Sequence, residues 1–220
     1  MQTHVALLAG SLVILTLAYS GAASATTWQN GQVITYVEGS WGTASSAAGV
    51  LLTMHFNTVY ASTFDVVTVG LPNPCCSMSF DSAVAVFAYL PAGGSPGTLN
   101  GNLLDPTSTS SGTFGGDVLA LRFDVDFSDA GFLLGTSNIP FGNLVLENFT
   151  TSPLVNLNGL AVRDFLATAN TVLGGGFQTT FTPADLDPIT ADLTGSFSGG
   201  TVSTFAQDHL VAPTTCSVSG

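Results

Sequence analysis

The sequence contains no lysine and only two arginines, Arg122 and Arg163, against 14 acidic side chains, which gives a formal net charge of −12. A protein that binds nucleic acid needs a basic face that replaces the counterions of the phosphates, and two arginines cannot form one. The same electrostatics exclude attraction to an anionic membrane surface. We therefore expect neither nucleic acid nor an anionic membrane among the partners of this protein.

Charged residues of both signs are scarce as well, at 7% of the chain, although 45% of the residues are hydrophobic. Disordered chains combine high charge with few apolar residues, so this composition indicates a folded protein. Its solubility must come from uncharged Ser, Thr, Asn and Gly. Because threonine is β-branched and suits a pleated surface, the composition favours an extracellular β-protein.

The first 25 residues have the pattern of an export signal. Residues 5–17 form a mostly apolar run that is shorter than the roughly 20 residues of a membrane span. Ala23-Ser24-Ala25 then fits the cleavage pattern of a signal peptidase, so we predict that residues 1–25 are removed and that Thr26 begins the mature chain. The segment before the apolar run lacks Lys and Arg, which leaves a retained membrane tether as the alternative. The predicted location is secreted, extracellular or at the cell surface.

Three cysteines are present, the adjacent pair Cys75 and Cys76 and the distant Cys216. An oxidising location permits disulfides. Because neighbouring residues can bond to each other only with backbone strain, we predict a disulfide between Cys75 or Cys76 and Cys216. This bond would attach the end of the chain to a loop and leave one thiol over.

The mature chain up to residue 155 has the pattern of a mainly β protein. Turn-rich segments separate runs of apolar, β-branched and aromatic residues at 32–38, 50–60, 64–71, 83–90, 118–127 and 144–149. Several of these runs alternate between apolar and polar residues, as half-buried strands do. With a further short strand near Leu99, the pattern predicts an antiparallel β-sandwich or jelly-roll-like domain over residues 26–155.

Beyond residue 155 the hydrophobic period changes to that of a helix. Val162, Phe165, Leu166 and Ala169 have helical spacing after a possible cap at Asn158, and glycines 174–176 end this helix. Similar spacing predicts a second helix from near Asp185 and a third after Thr201. We predict a C-terminal α-helical subdomain over residues 156–212, packed on the sandwich, with a tail at 213–220.

The acidic cluster Asp124, Asp126 and Asp129 is the candidate metal site. In a strand, Asp124 and Asp126 share one face, and Asp129 follows at the turn. Calcium binds several carboxylate and carbonyl oxygens, and it is the only cofactor that the sequence suggests. The alternative is a solvated strand face on which Arg122 offsets part of the repulsion.

The motifs that could indicate catalysis are weak. Residues 93–97 match G-x-S-x-G around Ser95, but Pro96 has no N–H to donate to an oxyanion and no helix pattern follows, so this segment is predicted to be a turn. His55 is expected on the outer face of a strand and His209 at the end of a helix. No activated nucleophile accompanies either histidine, so neither is expected to act in a triad.

Paired carboxylates across a cleft would suggest glycoside hydrolysis. Glu38 and Glu147 are the only glutamates, and no spacing among the acidic residues singles out a pair. The sequence therefore predicts that the protein is not an enzyme, with a secreted hydrolase as the weakest hypothesis.

Several short sequence segments of the chain are similar to segments found in one group of proteins. They are S-T-S-S-G at 108–112, G-G-D-V-L-A-L at 115–121, L-N-G-L-A-V at 157–162 with L-G-G-G at 173–176, and F-A-Q-D-H-L at 205–210. Together they resemble uncharacterised exported bacterial proteins, some of which carry C-terminal surface-sorting signals. The resemblance covers roughly residues 90–210 and implies export, but it implies no activity and no catalytic residue. Unlike the sorted members, this chain has no apolar span and no basic tail after Leu210.

The sequence thus favours a secreted, non-enzymatic structural or interaction module outside the cell or at its surface. Its partners would be other surface components or further copies of itself. In the self-associating version, residues 26–38 add a strand to the sheet of a neighbour. The alternative is a glycan- or calcium-binding module that uses the three aspartates and the aromatic residues Trp28 and Trp41.

Overall fold

A computed structural model describes residues 27–176 and 180–214, and helices are its main regular elements. About 45% of the chain is helical and only 9% is strand, so the predicted mainly β sandwich or jelly-roll is wrong. The predicted signal peptide (residues 1–25), Cys216 and most of the predicted tail lie outside the described residues.

The α-helices of the described chain range from one turn to 18 residues. They are α1 (Glu38–Trp41), α2 (Ala47–Val59), α3 (Ala83–Tyr89), α4 (Gly112–Asp129), α5 (Val162–Leu173), α6 (Pro183–Gly195) and α7 (Thr204–His209). Short 3-10 turns occur at Ala61–Thr63, Phe141–Asn143 and Leu154–Leu157. Within residues 27–176 and 180–214, no helix has both the length and the apolar character that a bilayer span requires.

The strands form two small sheets. They are β1 (Val67–Gly70), β2 (Ser77–Phe80), β3 (Leu103–Leu104), β4 (Val145–Leu146) and β5 (Leu210–Val211). In the first sheet β1 is antiparallel to β2, which pairs in parallel with β3; in the second, β4 and β5 are antiparallel. Of the predicted strands, the run at 64–71 contains β1 and the run at 144–149 contains β4. The other predicted runs are mainly helical or irregular.

Helix α4 lies at the centre of the fold. It contacts α1, α5, α6 and β1, and most of its 18 residues are buried. A helix that is buried on all sides has no apolar stripe, and the 3.6-residue period disappears from its sequence. With no helical period visible, the chance alternation of apolar and polar residues at 118–127 predicted a strand.

Helix α2 was also predicted to be a strand, for a different reason. Its buried residues Leu52 and Phe56, together with Tyr60 just beyond its end, are four positions apart, a spacing that fits both an even alternation and a helical face. Val50 and Met54 share that parity but are 45% and 67% exposed, as expected from their position on the other side of a helix. Helix α2 starts where the Ser46 hydroxyl accepts a hydrogen bond from Gly49 N (2.9 Å).

The three helices predicted after residue 155 are confirmed as α5, α6 and α7. Helix α5 buries the predicted face and ends at the glycines, although its N-cap is Ala161 and not Asn158. Helix α6 begins with a capping box in which Thr182 and Asp185 exchange hydrogen bonds, with Pro183 in the first turn. With no sandwich to cover, α5 and α6 pack against α4.

The N-terminal segment belongs to the fold of its own chain. Trp28 Nε1 donates to the Leu210 carbonyl (2.7 Å), and Thr35 forms a β-bridge with Ser198. Trp28 and Trp41 are both buried, so neither is a surface aromatic that could bind a glycan. The described part of residues 26–38 is therefore not an unpaired strand available to a neighbour.

Candidate functional site

An open groove lies between β1 and α5. It encloses about 560 Å³, and Arg122 of α4 and Thr63 form part of its wall. A second cavity, of about 300 Å³, shares Thr63 and Arg122 with the first and extends toward Asp126 and Asp129. We call the two together the Arg122 groove.

Arg122 is held in place by an ion pair on its own helix. Its Nε donates to Asp126 Oδ2 at 2.5 Å, one helical turn further on. Burial disfavours the charged guanidinium, but the carboxylate of Asp126 outweighs this and raises the pKa of Arg122. The buried Tyr60 hydroxyl also interacts with the guanidinium, and the side chain of Arg122 is 34% exposed. A guanidinium has five N–H donors, so after Asp126 and Tyr60 it retains donors for a ligand.

An exposed phenylalanine lies in the turn between two lining residues of the groove, Thr63 and Val66. Phe64 is 93% exposed, and Phe64 and Asp65 both have left-handed backbone conformations (φ 59° and 60°) that side-chain-bearing residues rarely adopt. The turn is held by the Thr63 hydroxyl, which lies 2.9 Å from Tyr60 O and 2.7 Å from Val66 O. Asp65 N also donates to Tyr60 O (3.0 Å). Strained, well-fixed conformations of this kind cluster at functional sites.

The polar wall of the larger cavity is also fixed by hydrogen bonds. Asn170 bridges α5 and β1, because its Oδ1 accepts from Gly70 N (2.7 Å) while its Nδ2 donates to Leu166 O (2.9 Å). The Thr68 hydroxyl is 2.8 Å from that of Ser79, and Thr171 Oγ1 donates to the carbonyl one turn earlier. Each hydroxyl oxygen keeps capacity to accept another hydrogen bond, so the wall can bind polar groups without rearranging.

The three aspartates predicted as calcium ligands make separate contacts. Asp124 is fully buried, and its Oδ1 accepts from Tyr36 N (2.9 Å) and Trp41 Nε1 (3.2 Å). Residues two apart on a helix lie about 200° apart, so Asp124 faces away from Asp126.

Asp126 and Asp129 line the smaller cavity, where each is already paired with a cation. Asp126 contacts Arg122, and Asp129 accepts two hydrogen bonds from Arg163 (both 3.1 Å). Across residues 27–176 and 180–214, no three His, Cys, Asp or Glu side chains are grouped as a metal site. The structure therefore does not assemble the predicted calcium ligands.

A second group of carboxylates was not predicted from the sequence. Glu38 of α1, Asp117 of α4 and Asp187 of α6 meet where these helices cross. Desolvation by burial, followed by the charges of Glu38 and Asp187 and the hydrogen bond to Asp187, raises the pKa of Asp117 to about 8. Burial also raises the pKa of Glu38 and of Asp187. A signal was present in the sequence, since Asp117 is a lone charge within the apolar run 114–121.

This carboxylate cluster serves contacts between helices. Glu38 Oε1 accepts from Ala92 N at 2.5 Å, and a Cβ on Gly116 would collide with the same carboxylate. Asp187 accepts from Thr113 Oγ1 (3.2 Å), and its other oxygen is buried without a conventional donor. The cavity beyond Ala92 encloses only about 70 Å³, and the three carboxylates do not line it.

The remaining candidates have structural roles. His55 stacks on Phe132 with ring centroids 3.9 Å apart, and His209 stacks on Phe149 at 4.5 Å. Ser95 lies in an irregular turn before α4, as predicted from Pro96.

The predicted disulfide with Cys216 is not the one in the structure. Cys75 and Cys76 are bonded to each other in the loop between β1 and β2, and Cys216 lies outside the described residues. The expectation relied on the strain of bonding neighbours.

Comparison with known proteins finds no family model, no curated protein and no solved structure that matches this chain. The Arg122 groove and the carboxylate cluster are therefore the features from which a function can be inferred.

Proposed function

We propose that this protein is a secreted, non-enzymatic interaction module that acts outside the cell or at its surface and binds its partner in the Arg122 groove. One observation carries the proposal: a groove with a fixed polar wall includes Thr63 and Val66, and the strained turn between them carries the exposed aromatic residue Phe64. A backbone conformation of this kind costs roughly 1–3 kcal/mol. Exposing a large apolar side chain on such a turn has no benefit for folding, which favours a role in recognition.

The proposed location depends on the pattern of residues 1–25. An oxidised pair, Cys75 and Cys76, supports it because disulfides persist in oxidising compartments. The surface is also suited to contact with uncharged partners, because hydroxyl and amide groups predominate over charges.

The proposal is tested by following the full chain in the organism that makes it. Mass spectrometry of cell fractions should find the protein outside the cytosol with Thr26 as its first residue. Fluorescently labelled mature protein should bind the outer cell surface saturably, and a broad screen of hydrolase substrates should show no turnover. A cytosolic product that keeps residues 1–25 would contradict the location, and a lack of saturable binding would contradict the role.

A second candidate function, a hydrolase, is favoured by the carboxylate cluster. A carboxylic acid with a pKa near 8, like Asp117, stays protonated at neutral pH and can act as a general acid. Its burial and the small size of the neighbouring cavity argue against this role. Turnover of any screened substrate that disappears in Asp117→Asn would establish it, and turnover that survives this change would exclude Asp117 as the acid.

A further inference from the structure

We propose that the Arg122 groove binds a neutral oligosaccharide, with one sugar ring stacked on Phe64 and its hydroxyls bonded to the polar wall. This inference rests on the proposed function and specifies the ligand class of the same site.

The turn that carries Phe64 has a shape that suits a sugar ring. A pyranose has a face of C–H groups that packs against an aromatic ring, whereas its edge carries hydroxyls. Phe64 offers a ring that is 93% exposed, immediately after Thr63, which lines both cavities. The hydrogen bonds of Thr63 and Asp65 to Tyr60 hold the turn, so little conformational entropy is lost when a sugar ring stacks.

The polar wall offers hydrogen-bond partners for sugar hydroxyls. Sugar hydroxyls both donate and accept, and they need both kinds of partner within reach. The guanidinium of Arg122 supplies donors, and the hydroxyl oxygens of Thr63, Thr68 and Thr171 supply acceptors. A volume of about 560 Å³ lies within the roughly 300–1,000 Å³ of typical ligand pockets.

Charge selects neutral over acidic sugars. Asp126 already neutralises Arg122, and Asp129 lies in the smaller cavity. The chain as a whole carries −12. A polyanionic glycan would therefore approach a repulsive field without gaining an unpaired cation.

The experiment uses the mature chain, residues 26–220, on an array of neutral and acidic oligosaccharides, followed by calorimetry with the neutral ones that bind. Phe64→Ala removes the ring, Phe64→Leu keeps apolar bulk without an aromatic face, and Phe64→Tyr keeps the ring. Val84→Ala is the control, because Val84 is also highly exposed (74%) and does not line the groove.

A matched pair of threonines on α5 tests the wall. Thr171 and Thr168 are both half-buried, and each hydroxyl donates to the carbonyl four residues earlier (2.9 and 3.0 Å). Only Thr171 lines the groove. Thr171→Val should therefore weaken binding, whereas Thr168→Val should leave it unchanged.

We expect Phe64→Ala and Phe64→Leu to weaken binding at least about tenfold, which corresponds to about 1.4 kcal/mol, while Phe64→Tyr stays within about threefold of the parent. The melting temperature should be the same for all variants within about 2 °C. Titrations with and without calcium also test the alternative metal site. If the oligosaccharide binds only when calcium is present, the proposal that the groove alone binds it is wrong.

The outcomes separate the two proposals. If the labelled protein binds cells through the groove but no neutral oligosaccharide binds, the sugar assignment fails and the proposed function stands. If a peptide or an acidic glycan competes for the Phe64-dependent binding, the ligand class is wrong. If cell-surface binding is itself absent, both proposals fail.

Discussion

The two halves of α4 neutralise their acidic side chains in different ways. Toward the C-terminus, Asp126 pairs with Arg122, and Asp129 pairs with Arg163 of α5. The protein has no lysine, and these two residues are its only arginines.

Toward the N-terminus, Asp117 meets Glu38 and Asp187 with no arginine left to pair with them. Burial and mutual repulsion disfavour the charged forms, so Asp117 holds a proton near neutral pH. In this chain, which has no lysine, a buried carboxyl group without a cationic partner is neutralised by protonation instead of by an ion pair. The fold should then respond to pH through Asp117 in the N-terminal half of α4 and through the fully buried Asp124, which has no cationic partner either.

The largest predicted effect is that the free energy of unfolding falls as pH rises from 4 to 8. The pKa of Asp117 is about 8 in the folded state against an ordinary 3.8, so the native state retains a proton that the unfolded chain releases. The stabilisation is complete below pH 3.8 and is lost as pH rises to 8, by roughly 2–5 kcal/mol. Burial raises the pKa of Asp124 and of Asp126 in the same direction. Urea unfolding at several pH values measures this loss.

Asp117→Asn should reduce that pH dependence, and the part that remains should come from the other buried carboxyls, Asp124 above all. The amide keeps the shape and can donate to Asp187 at every pH, yet it does not titrate. Asp81→Asn, at an exposed position, is the control and should leave the slope unchanged. An Asp117→Asn slope equal to that of the parent would show that the proton is held elsewhere.

The next effect concerns Asp124, which joins α4 to the N-terminal segment. Asp124→Ala should lower the free energy of unfolding by about 2–4 kcal/mol, because it leaves Tyr36 N and Trp41 Nε1 buried without an acceptor. Asp124→Asn keeps the Oδ1 acceptor and should cost less than half as much. Equal losses for the two variants in chemical denaturation would mean that these hydrogen bonds do not stabilise the fold.

The two ion pairs of the C-terminal half should differ in strength. Arg122→Gln leaves Asp126 largely buried beside the buried hydroxyl of Tyr60, and we expect a loss of about 1–3 kcal/mol. Arg163→Gln removes the same charge from a more exposed pair and should cost less than about 1 kcal/mol. Thermal unfolding of both variants at one ionic strength compares them, and the reverse order would contradict the assignment.

The smallest effect is a gain in stability in the turn that carries Phe64. Phe64→Gly should stabilise the protein by about 0.5–1 kcal/mol, because glycine adopts a positive φ without strain. Phe64→Ala keeps a Cβ and serves as the control. If thermal unfolding shows that Phe64→Gly is less stable than Phe64→Ala, the turn is not strained.

Part of the fold could be predicted from the sequence because one face of some helices is exposed. In α5, Val162, Phe165 and Ala169 are buried while Asp164 and Ala167 are exposed, so the helical period is visible. In α4 both Phe123 and Asp124 are fully buried, and no period remains. In α2 the spacing of four residues fits a strand and a helix equally well.

The candidate site was harder to predict than the fold. Its residues come from the turn after α2, from β1, from α4 and from α5, and nothing in the chain indicates that these segments adjoin. Asp124 and Asp126 share a face only if the segment is a strand. The segment is a helix, in which residues two apart point in different directions. The i, i+4 spacing of Arg122 and Asp126 was the one local signal, and it becomes meaningful only once residues 112–129 are known to be helical.

The net charge of this protein and its C-terminal helices could be read from the amino-acid sequence, because composition and one-sided burial are properties of local segments. The prediction that polyanionic partners are excluded rests on the same charge. Only the tertiary structure decided that α4 is central, that Asp117 keeps its proton and that Phe64 stands exposed beside a polar groove. Each of these depends on which distant segments surround a residue, since burial and the charges nearby set both the pKa and the exposure of a side chain.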